Sequence, residues 1–228
     1  MKIWKRALSI AVLCVTMAVL VACQDLTKDA TVFVQGELDA TYLGQYSQEY
    51  IDVVEDMTEA DAQEKYDYNV SAEADILMTY LAIEMPTEQV TQRARDLVAE
   101  IYSHARYTVA DAEKLKSGDL AVEVTVSPIE IIPLLTSDFM NDTWNSVLES
   151  RGITTQEQLD AQFQEADEEY AMALLDELER LIPEITYGED QVIMLQMKED
   201  EDGYYSLVES GLQKVDEVMI DYYGSYAE

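Results

Sequence analysis

The sequence predicts an α+β domain: helices packed on an antiparallel sheet built from two β-hairpins, in the order helices, hairpin, helices, hairpin, helix. Three observations carry this. Long stretches repeat apolar residues three and four apart, two stretches alternate apolar with polar residues instead, and each alternating stretch doubles back through a turn containing Gly. Helices segregated from antiparallel strands mark this class, with one sheet face covered by helices. No Pro-rich or Gly/Ser-rich linker separates the two halves, so residues 30–228 read as one domain. The halves would suit a diverged duplication, although no residue-level repeat supports one.

Thr31 to Gly44 reads as the first helix, with Val32, Phe33, Leu38 and Tyr42 facing inward and Gly44 as its stop. A short helical piece follows at Gln48 to Val54. Thr58 and Asp61 form a capping box for a longer helix carrying Tyr66, Val70, Leu77, Tyr80 and Leu81, ended before Pro86. Thr87 caps the next, whose inward stripe is Val90, Ala94, Leu97, Val98 and Ile101. The period then changes. Tyr107 to Leu115 and Leu120 to Ile131 read as strands joined through Lys116-Ser117-Gly118-Asp119, with Val122, Val124 and Val126 alternating with Glu123 and Thr125. After Pro133 a helix runs through Phe139, Trp144, Val147 and Leu148 to Gly152. Thr154 and Glu157 read as the capping box of the longest helix, whose stripe runs from Leu159 through Phe163, Ala166, Tyr170, Leu174 and Leu178 to Leu181. Gln191 to Lys198 and Tyr204 to Val208 make the second hairpin, turning through Asp202-Gly203, and Leu212 to Tyr223 closes the chain as a helix.

Ahead of these elements stands a segment of a different kind. Lys2, Lys5 and Arg6 precede an acid-free apolar run from Ala7 to Ala22, which is the layout of a secretory leader. The run is shorter than the roughly 20 residues that cross a bilayer as a helix. It ends in Leu20-Val21-Ala22-Cys23, which resembles the bacterial lipobox: cleavage before Cys23 follows attachment of diacylglycerol to its sulfur, and two acyl chains anchor durably. An ordinary leader ending by chance at a Cys, or an uncleaved anchor, is the competing account. On the lipobox reading residues 1–22 are the leader, Cys23 is the lipidation site, and residues 23–29 are a brief tether. Cys14 leaves with the leader, so the domain keeps no thiol for a disulfide or a thiolate metal site.

All 47 acids follow residue 22 and only 11 of the 14 bases do, leaving the 206-residue remainder near −36. Such a field repels phosphate backbones and anionic headgroups, which argues against nucleic acid as a partner and leaves membrane attachment to the lipid. His104 is the single imidazole, placed at the end of the fourth helical segment, where a cation suits the helix dipole. With no other His and no thiol, nucleophile–base pairs and His-rich zinc sites lack their parts. No Gly-x-Ser-x-Gly elbow, phosphate-cradling Gly loop or dinucleotide fingerprint occurs. Two carboxylates suffice for a glycosidase, so a wall-sugar hydrolase stands as an alternative, but with 47 acids no pair is singled out. Tyr66, Tyr80 and Tyr170, at helical spacing, read as core, and Trp144 alone of the tryptophans remains after leader removal. Lys198 to Glu209 imitates a calcium loop, with Asp200, Asp202, Gly203 and Glu209 in register, but Lys198 holds the first ligand position and strands flank it. The cluster Glu165, Asp167, Glu168 and Glu169 would hold calcium only weakly. No cofactor and no metal site is expected.

The segments "TVFVQGELDATYLG" at residues 31–44, "IYSHARYTV" leading into "VEVTVSPIEI", and the late "EDEDGYYSLVE" hairpin with its short helix are similar to stretches of a known group. The chain resembles the small lipoproteins of Gram-positive gut bacteria, mostly Clostridia and their relatives, that carry a domain of unknown function after a lipobox. The resemblance implies fold and anchorage, with Cys23 as the lipid site, and transfers no catalytic residue. The expectation is a non-enzymatic binding or accessory module on the extracytoplasmic face of the cell membrane, whose partner is an extracellular protein, peptide or small ligand. A solubilising or cation-holding acidic coat is the further alternative.

Overall fold

A computed structural model of the protein describes residues 16–17, 25–54, 57–200 and 203–226. Cys23, the segment read as a lipobox and nearly all of residues 1–22 lie outside the described residues. The two-residue strand β1 (Thr16–Met17), in the stretch read as a leader, pairs antiparallel with Tyr205 and Ser206.

The first helix, α1 (Leu26–Leu38), begins five residues before the expected Thr31, because Leu26 packs on the core and Ala30 is fully buried. Most of the stretch read as a tether is therefore already folded. Helix α1 runs straight into a π-helical turn, Asp39–Leu43, which ends where Gly44 takes φ +60, a left-handed conformation that glycine adopts without strain. Helix α2 (Gln48–Val53) is capped by the Ser47 hydroxyl, which accepts from the Tyr50 amide. Both parts of the Thr58–Asp61 capping box are present at the start of α3 (Glu59–Tyr80), and the Thr87 hydroxyl caps α4 (Glu88–Tyr102). All five residues expected in the α4 stripe are buried.

The first hairpin is more broken than its pattern suggests. Its leading arm splits into β2 (Arg106–Val109) and β3 (Glu113–Lys114), because the Ala112 amide between them donates to the Thr31 hydroxyl at 2.8 Å rather than to the ladder. The return strand β4 (Leu120–Ser127) stops at Pro128, which has no N–H to donate. Beyond it, β5 (Ile129–Glu130) joins a separate two-stranded sheet with β6 (Thr186–Tyr187). Between them lie α5 (Ser137–Ser150) and α6 (Gln156–Leu181). The capping box of α6 is Thr155 with Gln158, one residue later than Thr154 with Glu157. The reason is the Gln158 carboxamide, whose oxygen accepts from the amides of both Thr154 and Thr155. The last hairpin is β7 (Gln191–Glu199) and β8 (Tyr205–Leu207), and the chain's final helix is α7 (Glu209–Met219). That helix ends four residues before the expected Tyr223. Ile220 leaves it to bridge Ile129, and the Asp221 amide donates to the Ile129 carbonyl.

The two hairpins lie side by side through antiparallel β4 and β7, giving the order β8-β7-β4-β2. Helices α1 and α7 pack on one face of this sheet, where Val122, Val124, Ile193, Leu195 and Met197 are buried. Glu123, Val192 and Met194 point to solvent on the other. From the covered face the helices stack outward: the π-turn meets α3, α3 meets α4, α4 meets α6, and α6 meets α5. One hydrophobic core joins all of these layers. No helix of the described residues is long and apolar enough to cross a membrane.

Candidate functional site

A π-turn inserts one extra residue into a helix and is frequently found at functional sites, because it re-aims the side chains on either side. Here Asp39 is aimed into an open cleft and Tyr42, three residues on, into the interior. The Asp39 Oδ1 accepts from the Tyr107 hydroxyl at 2.6 Å and from Gln35 Nε2 at 2.8 Å. Burial, and then the bond to Asp39, push the Tyr107 phenol well above its ordinary range.

The cleft has a volume of about 420 Å³ and wraps the end of the sheet at β2. The end of α1 and the π-turn supply Gln35, Asp39 and Leu43 on one side. The strands supply Arg106, Thr108, Thr125 and Ser127, and Asp190 stands just ahead of β7. The Ser127 hydroxyl donates to Asp190 Oδ1 at 2.6 Å. The Arg106 guanidinium lies 3.6 Å from the centre of the Tyr187 ring, a cation–π contact on an otherwise exposed side chain.

Beneath the cleft lies a buried cluster of acids and tyrosines. Tyr42, Tyr102 and Tyr107 meet ring to ring, with Tyr42 and Tyr102 edge-on at 5.3 Å between centres. The Tyr42 hydroxyl donates to Asp216 of α7. Glu37 of α1 accepts from Tyr50 at 2.9 Å and pairs with Lys65 of α3. Glu73 of α3 accepts from Tyr222 at 2.6 Å. Desolvation dominates here. It raises Asp216 to about 6 against the opposing bond from Tyr42, and raises Glu73 despite the Tyr222 and Tyr102 hydroxyls beside it. The phenols of Tyr42, Tyr102 and Tyr222 are pushed well above their ordinary range by burial and by the neighbouring carboxylates. These groups tie five helical segments together by hydrogen bonds and are largely withdrawn from solvent, so their role is internal.

The residues weighed in the sequence are scattered. His104 lies two residues beyond α4, and its carbonyl accepts from the Tyr187 hydroxyl at 2.9 Å. Trp144 packs edge-on against Phe163 and Tyr170 as core. The acids of α6 are not one exposed cluster. Asp167 is buried and accepts from the amides of Glu84 and Met85, Glu168 accepts from Thr87, and Glu169 pairs with Arg151. Of the calcium-loop imitation, Asp202 lies outside the described residues, the Asp200 amide donates to the Tyr204 carbonyl between β7 and β8, and Glu209 opens α7. Among the described residues no group of three or more His, Cys, Asp or Glu is arranged to hold a metal ion. Asp39, Arg106 and Asp190 escaped the sequence reading, since three residues 67 and 84 positions apart share a cleft only through the π-turn and the sheet register.

Neither a protein-family model nor a curated protein matches the chain. Its fold is similar to that in a crystal structure of a Bacillus subtilis protein, ycdA, provisionally assigned as a lipoprotein, with a TM-score of 0.56 at 14% identity. The likeness covers 85% of this chain and 56% of that one, so the chain spans little more than half the length of its structural neighbour. At that identity what the two share is the fold.

Proposed function

We propose that the protein is a lipid-anchored extracytoplasmic module that binds a ligand at the cell membrane without transforming it. The observation that carries this is the order of parts at the N-terminus. A basic and apolar leader ends in Leu20-Val21-Ala22-Cys23, and the first folded helix starts at Leu26, three residues past the cysteine. The fold likeness to a provisionally assigned Bacillus subtilis lipoprotein supports the same reading, as does the resemblance to small clostridial-type lipoproteins. Binding is favoured over catalysis because the strongly perturbed carboxylates lie in the interior and do not line the cleft. The cleft holds no imidazole or thiol, and its one aliphatic hydroxyl bonded to a carboxylate, Ser127 to Asp190, lacks a third group among the described residues to orient it.

Cell fractionation tests the anchor. The native chain should sediment with membranes and enter the detergent phase on phase separation, whereas Cys23→Ser should lose both properties. A native chain in the soluble fraction, or a Cys23→Ser chain that still partitions as a lipoprotein, would contradict the reading.

A further inference from the structure

The cleft contains an imbalance. The chain carries 47 acids against 14 bases. Arg93, Arg151 and Arg180 each pair with carboxylates, whereas Arg106, like Arg95, forms no ion pair among the described residues; Arg106 rests instead on the Tyr187 ring. Arg106 lines a cleft that also holds two aspartates. Each aspartate is half satisfied. Asp39 and Asp190 accept the hydrogen bonds given to them on Oδ1, and no donor of the described residues reaches Oδ2 of either. The cleft therefore offers solvent-facing carboxylate oxygens and arginine N–H groups that no protein group of the described residues occupies, within one space of about 420 Å³. That volume falls in the range of small-molecule sites, which run from roughly 300 to 1,000 Å³.

We infer that this cleft binds a small zwitterion, an amino acid or a dipeptide, with Asp39 and Asp190 taking the ammonium and Arg106 the carboxylate. The proposal rests on the binding-module reading and names its ligand class. Arginine recognises a carboxylate through two parallel N–H donors, and the Arg106 guanidinium is seated against the Tyr187 ring. The hydroxyls of Thr108 and Thr125 also line the cleft and suit a peptide amide. Short hydrogen bonds from Tyr107 and Gln35 preorganise Asp39, so little side-chain freedom remains to be lost on binding.

Calorimetric titration of the whole chain in detergent tests this with alanine, alanylalanine, N-acetylalanine, alaninamide and glucose. Saturable binding of alanine or alanylalanine is expected, with each blocked form weaker by about tenfold or more, as the loss of one charge-assisted contact implies. Asp39→Asn keeps an oxygen for Tyr107 and Gln35 and removes the charge, so it should erase the preference over N-acetylalanine. Arg106→Gln should erase the preference over alaninamide. An unchanged melting temperature in both variants separates lost recognition from lost folding. The inference is overturned if neither zwitterion gives saturable heat up to about 10 mM, if blocked and free forms bind alike, or if both variants bind as the native chain does. Glucose binding in place of the zwitterions would also overturn it while leaving a binding module standing, and the Cys23→Ser fractionation judges the anchor independently.

Discussion

At the scale of single residues, the interior of this protein is organised by acids that a hydrophobic pattern conceals. Glu37 lies three and four residues beyond Val34 and Phe33, Glu73 three beyond Val70, Asp167 four beyond Phe163, and Asp216 four beyond Leu212. Each sits on the apolar stripe of its helix, and Glu37, Glu73 and Asp167 are buried. In a sequence with 47 acids the eye assigns every carboxylate to the surface, but an acid on the stripe was the signal available. What the pattern does not contain is the partner. Tyr42 and Asp216 meet across 174 positions, brought together because α1 and α7 pack on the same sheet. Asp216 gives a prediction with a definite sign. Its folded-state value, about 6, stands above the ordinary 3.8, so the folded protein retains a proton that the unfolded chain releases between those values. Its contribution is greatest at low pH and is lost as pH rises from about 4 through about 6, costing about 3 kcal/mol at neutrality by linkage. Asp216→Asn keeps an acceptor for Tyr42 without the charge. It should raise the urea midpoint at pH 7.5 and flatten the decline across that window; an unchanged profile would show that the carboxylate is better solvated than its burial implies.

At the scale of elements, local chemistry was legible where it is self-contained. The Thr58–Asp61 box, the Thr87 cap and the alternation of Val122, Val124 and Val126 depend on neighbours within a few residues, and all three are found in the fold. Elements shaped by distant contacts were displaced. Helix α7 stops at Met219 because Ile220 is claimed by Ile129, and β2 separates from β3 because Thr31 claims the Ala112 amide. The π-turn at Asp39–Leu43 continues the apolar period of α1 and so reads as ordinary helix, yet it orients the cleft. Gly36 is the element-scale test. A Cβ there would lie 2.2 Å from Tyr50 Cγ, so α2 can cross α1 only over a bare backbone. Despite the better helix propensity of alanine, Gly36→Ala should destabilise the fold by about 1–3 kcal/mol in urea denaturation, the range found when a packed core is overfilled. A neutral or stabilising outcome would mean that α2 shifts freely on α1.

At the scale of the whole molecule, the two-hairpin α+β architecture was legible in outline, because the change from helical to alternating period occurs twice; the separate β5–β6 sheet was not. Nor was the cleft, since it exists only where the end of α1 and the π-turn meet the first hairpin and the residue that leads into the second. The fold places its first helix three residues past Cys23, so an anchored domain would stand close to the membrane surface, with its strongly negative charge keeping it off anionic headgroups. The most direct test of that arrangement is the mass of the N-terminal peptide of the protein isolated from its native membrane. The account predicts a peptide that begins at Cys23 and carries the mass of a diacylglyceryl group; a peptide that retains residues upstream of Cys23, or an unmodified Cys23, would contradict it.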